Sequence, residues 1–149
     1  MSDYLESGLI QHLFRTGSFT KPSVIAIALC SGTVTQTDTG ALLTKELGGG
    51  GTPGSPPGGY NRQTLNPSDS NWSAITQTGA SSGLTDNLSA ITFGPATADW
   101  GTVTYLAITD NSGYGSGNVL MFAPVTTPKT IQNGDSITIG IGNLDIYFD

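Results

Sequence analysis

Residues 90–110 read A-I-T-F-G-P-A-T-A-D-W-G-T-V-T-Y-L-A-I-T-D. A short apolar run (Ala90–Phe93) meets a corner (Gly94–Asp99), where Pro95 cannot donate to a central ladder; Trp100-Gly101 then opens a run of β-branched and apolar residues. Two strands and the hinge between them are predicted. Side chains alternate on a pleated strand, so Val103, Tyr105, Ala107 and Thr109 should share one face, and Thr102, Thr104, Leu106 and Ile108 the other. Neither set is charged, which is the signature of a central strand covered on both sides, the second cover being another sheet or a neighbouring subunit. Trp100, at the corner, is expected to plug the end of a core while its indole N–H reaches a backbone carbonyl.

Downstream, D-N-S-G (Asp110–Gly113), extended by Tyr114–Gly117, is a hairpin turn leading to a partner strand, Asn118–Val125, with Pro124 marking an edge or exit. T-P-K-T-I then leads to the turn Q-N-G-D, a strand Ser136–Ile141, a break at Gly142-Asn143, and a terminal strand in which Leu144, Ile146 and Phe148 share a face. Upstream, Asn66–Leu88 reads as a long connection with one or two short strands and a turn at Asp86-Asn87. Tyr60–Leu65 restarts the sheet, and Gly48–Gly59 (G-G-G-G-T-P-G-S-P-P-G-G) is a long loop with no regular element. Ser23–Cys30 is a core strand, with large Ile25, Ile27 and Leu29 opposite small Ala26 and Ala28. Asp3–Arg15 is the one amphipathic helix. Asp3 and Glu6 are spaced as a capping box; Leu5, Leu9, Ile10, Leu13 and Phe14 recur at helical intervals. About eight strands give a mainly β, antiparallel β-sandwich of jelly-roll-like topology, with an N-terminal helix or arm at residues 1–18 and the sandwich at residues 19–149, carrying the loop at 48–59.

The totals suit a single domain able to bury a core unaided, since 149 residues need neither metal nor disulfide. Only 11% of the residues are charged, against a usual share of about 25%, which fits a protein packed in an assembly, where ionised groups would have to be desolvated. Five basic residues against eleven acidic ones leave a net charge of −6 and no basic cluster, so nucleic acid is not an expected partner. The opening M-S-D-Y-L-E lacks the basic and apolar regions of a secretory leader, and no run approaches the length of a membrane span; synthesis in the host cytoplasm and no membrane partner are the expectations.

Catalysis would need a nucleophile with its base, a carboxylate pair or metal ligands. Cys30 and His12 are single representatives of their types; Cys30 reads as a small buried hydrophobe and His12 as a helix-surface residue. The acidic residues are mostly turn aspartates, and no G-x-S-x-G, H-E-x-x-H, G-K-[ST] or calcium-loop pattern is present. No catalytic, cofactor or metal residue is assigned. What remains is contact chemistry. Leu9, Leu13 and Phe14 on the helix are interface candidates, and Arg62 can meet a carboxylate across the sheet or between subunits or stay solvated. Trp72 and Tyr114, with Tyr60, are core plugs, subunit contacts or a sugar-stacking platform.

The order of these pieces resembles a family of small tailed-phage virion proteins, some labelled tail-fibre proteins and some capsid cement or decoration proteins. The match runs from Leu9 to Phe148. It is most specific at Ile91–Asp110 around Trp100-Gly101 and at Asn118–Ile137 with its T-P-K-T-I and N-G-D; it leaves out mainly Asn66–Gly83 and the loop at 48–59, which is longer than the family's. The resemblance implies a non-enzymatic virion protein. Its first implication is a capsid cement protein on the capsid surface, a homotrimer seated on the major capsid protein at threefold junctions; a tail, tail-fibre or baseplate component is the alternative, and a carbohydrate-binding sandwich module the third reading. It supplies no catalytic residue.

Overall fold

A computed structural model describes residues 1–42, 45–47, 55–75 and 83–148 of the chain. Its elements are α1 (Asp3–Phe14), β1 (Ala26–Cys30), β2 (Gln63–Thr64), β3 (Ile91–Phe93), β4 (Gly101–Thr109), β5 (Val119–Ile131) and β6 (Ile137–Ile139). All described strand pairs are antiparallel: one sheet has the order β2-β1-β4-β5, and the other pairs β3 with β6. β4 is therefore central, as its uncharged faces require. Between the sheets lies the main core. Ile27, Leu29, Val103 and Ile131 come from the larger sheet and Ile91 and Phe93 from the smaller, with Tyr60, Trp100 and Tyr114 filling the space between. The fold is mainly β and antiparallel, as expected.

The outer cover of β1 and β4 differs from the expectation of a second sheet or a subunit. Ala28, Cys30 and Ala107 pack against Val34 and Leu42, so the segment after β1 folds back over its own strand. The small alanines permit that close approach. Burial pushes the Cys30 thiol up to about 12, with the Glu46 carboxylate adding to the effect, and the side chain acts as a hydrophobe. α1 closes one end: Leu5 joins Ile108 and Leu120 in a third cluster.

Several boundaries moved for identifiable reasons. The alternation expected along β4 breaks at a register shift between Val103 and Tyr105, so Val103 faces the main core while Tyr105 and Ala107 belong to the outer cluster. β5 does not end near Val125 but continues through Pro124 and Pro128 to Ile131, because it is an edge strand whose missing donors cost no ladder bond on the open side. The terminal strand Leu144–Phe148 reduces to one bridge, in which Thr85 and Ile146 exchange backbone hydrogen bonds of 2.9 and 2.8 Å. Leu144 is buried but Phe148 is exposed. Asp86-Asn87 is no turn: Asn87 is fully buried, its Oδ1 accepting from the Asn143 and Leu144 amides and its Nδ2 donating to the Gly140 carbonyl. Six strands result among the described residues, fewer than the eight predicted.

Most of the Gly48–Gly59 loop lies outside the described residues; its end does not, and there the expectation of no regular element is corrected. Pro57–Gly59 makes one 3₁₀ turn, with Gly58 at φ 60°, where a side chain would be strained and would meet the Trp100 ring. The Gly58 carbonyl accepts the Trp100 indole N–H at 2.7 Å, as the reading of Trp100 anticipated.

Candidate functional site

The polar groups best placed for chemistry form one buried cluster. Glu46 and Arg62 pair through two hydrogen bonds, Nε to Oε1 at 2.9 Å and Nη2 to Oε2 at 2.8 Å, and both side chains are fully shielded. The remaining guanidinium protons reach Thr109 Oγ1 and the Gly40, Asn111 and Ser116 carbonyls. Tyr60 donates its hydroxyl to Glu46 Oε1 and accepts from the Leu29 amide, each at 2.9 Å. Burial, reinforced by the Glu46 carboxylate, pushes the Tyr60 phenol well above its ordinary value, so it is a permanent donor here. Among the described residues no buried side-chain nitrogen or oxygen lacks a hydrogen-bond partner, and Glu46, Tyr60 and Arg62 are all buried. Its role is to pin the segments on both sides of the long loop to β1 and to the β4–β5 hairpin.

A second ion pair, Lys45 with Asp38 at 2.6 Å, is nearer the surface. Burial raises the Asp38 carboxyl, but the Lys45 ammonium and two hydrogen bonds from Thr35 outweigh it and hold the group below its usual value. Among the described residues, no group of three His, Cys, Asp or Glu side chains is placed to hold a metal ion, and no helix is long and apolar enough to cross a membrane.

The interface candidates separate into two kinds. Arg62 and Tyr114 are buried within the protomer; Trp72 is half-buried against the main core and donates its indole N–H to the Leu65 carbonyl. With Tyr60 wholly enclosed, none of these rings stands out on a loop as a sugar-stacking platform would need. The helix residues behave differently. Ser2, not Asp3, is the cap, its Oγ accepting from the Leu5 amide, and Leu9 is partly buried against the third cluster. Beyond Leu9 the apolar stripe is uncovered: Ile10 is 54%, Leu13 66% and Phe14 80% exposed.

An apolar cleft of about 250 Å³ lies where β4 and β5 meet the C-terminal segment, lined mainly by Leu106, Ile108, Met121, Phe122, Ile146 and Tyr147, with Asp145 and, from the start of the chain, Met1 also in the lining. Sequence reading missed this cleft and Glu46. Glu46 stands in a short segment, A-L-L-T-K-E-L, that carries three leucines, and that was the one local signal for a buried acid, whereas the cleft depends on a tertiary juxtaposition that no local pattern carries.

A family model described as Podophage GP4 fiber I protein gp80 matches residues 1–147. None of the curated proteins compared with the chain matches it.

Proposed function

We propose, for a chain that belongs to the podophage GP4 fiber I protein gp80 family, the role of a non-enzymatic structural subunit of a phage tail fibre that assembles with copies of itself as a homotrimer. The observation that carries this is the match across residues 1–147, nearly the whole chain, to a phage virion family whose description is a fibre. It favours the tail component over the capsid cement protein that the sequence first suggested. The described residues agree in chemistry: the buried ionisable cluster is saturated by its own hydrogen bonds, and exposed apolar side chains remain, among them a group on the helix end and others lining a cleft. Such surfaces suit permanent contacts between subunits, and cyclic symmetry closes an assembly with one interface type.

Electron microscopy of purified particles with gold-labelled antibody against this chain tests the location. Label along the tail fibres is the expected result; label spread over the head would overturn the fibre reading and restore the cement protein.

A further inference from the structure

We propose that the C-terminal turn of α1 in one copy docks into the apolar cleft beside β5 of a second copy. The inference rests on the reading of this chain as a self-associating fibre subunit and names the contact involved.

Ile10, Leu13 and Phe14 are spaced i, i+3 and i+4, so they project together from one side of the last turn, and all three are more than half exposed. This is the arrangement by which an amphipathic helix enters a hydrophobic groove. The cleft offers the complementary surface, with Leu106, Met121, Phe122 and Ile146 in its lining. Charge agrees with shape. Arg15, next to Phe14, and Asp145, in the cleft lining, are each exposed, and neither side chain has an ion pair or hydrogen bond among the described residues.

The cleft cannot be filled by its own helix. Leu5 is seated on Ile108 and Leu120, which fixes the start of α1 beside the cleft, and none of Ile10, Leu13 and Phe14 is among the lining residues. At 1.5 Å per residue the helix carries Phe14 roughly 13 Å past Leu5. Turning the tip back would unseat Leu5, so the occupant is a second copy.

A tip on one copy and a cleft on the next make a heterologous contact, which closes into a ring when the rotation allows. Three large apolar side chains bury a few hundred Å² at most, less than the roughly 800 Å² per partner of a stable pairwise interface. Each copy in a ring gives one tip and receives another, so every copy takes part in two such contacts where a copy in an open pair takes part in one. Association should therefore be concentration-dependent.

Sedimentation velocity of the full chain over a concentration series is the experiment. The wild-type chain should form an oligomer, and Phe14→Asp should weaken it by about tenfold or more, the scale of losing a central anchor. In the dilute monomer its melting temperature should be unchanged, since the side chain is 80% exposed. Arg15→Asp and Asp145→Arg should each weaken assembly, and the two together should restore it. Assembly of Phe14→Asp at wild-type strength would overturn the contact while leaving the fibre reading to the particle labelling. No recovery in the double variant would overturn the pairing of these two surfaces, and a wild-type chain that stays monomeric at every concentration would overturn the contact outright.

Discussion

Glu46 carries an unusual share of this fold for one side chain. It sits at the far end of a polar segment, yet its carboxylate neutralises Arg62, accepts from Tyr60, and through them connects the Gly40 and Ser116 backbones and β1. Removing one partner of a buried pair leaves the other charge without compensation, at a cost of roughly 3–5 kcal/mol, whereas apolar replacement of both can be neutral. Glu46→Ala should therefore lower unfolding stability by about that amount in urea titration. Replacing Glu46 and Arg62 together by Leu and Met should cost distinctly less than the sum of the single changes. A Glu46→Ala loss within about 0.5 kcal/mol, the range of surface substitutions, would show that the pair contributes nothing to the fold. The same residues mark how far sequence reading reaches. That Arg62 needed a carboxylate was legible; which carboxylate was not, since Glu46 is 16 positions away across the Gly/Pro-rich loop.

Among the elements, α1 divides into a seated half and an uncovered half. Its spacing announced a helix, but spacing alone does not say how much of the stripe is used. Ser2 rather than Asp3 became the cap because tertiary bonds selected it: the Ser2 amide donates to the Leu120 carbonyl and its hydroxyl to that of Val119, tying the helix start to β5. Both residues cap well in isolation, so local propensity could not choose. β1 and β4 were legible because uncharged β-branched runs have few other homes. The length of β5 was not, since Pro124 and Pro128 signal an ending unless the strand is known to lie at an edge. The two halves of α1 should respond differently to truncation. Leu5→Ala empties a buried position and should cost about 2–5 kcal/mol, while Leu13→Ala should stay within about 0.5 kcal/mol in the dilute monomer. Equal losses in thermal or urea unfolding would mean that the whole helix, not its first turns, holds the third cluster together.

For the whole molecule, the two-sheet core and the small number of charges lead to one consequence for assembly. Each copy carries a net charge of −6, so copies repel one another at a distance, while the surfaces of the proposed contact are mainly apolar. The two effects respond oppositely to salt. The Debye length falls from about 30 Å at 0.01 M ionic strength to about 8 Å at 0.15 M, which removes most of the long-range repulsion. Apolar burial is not weakened by screening, and a charge pair that is partly desolvated on docking is screened much less than free charges are. In the proposed contact Arg15 and Asp145 orient the encounter, and burial of Leu13 and Phe14 supplies most of the attraction. Self-association should accordingly strengthen across that salt range, read as a rise in weight-average mass by light scattering at fixed protein concentration. A fall in mass with added salt would assign the cohesion to exposed ion pairs, a mechanism that five basic residues in 149 give this surface little means to support.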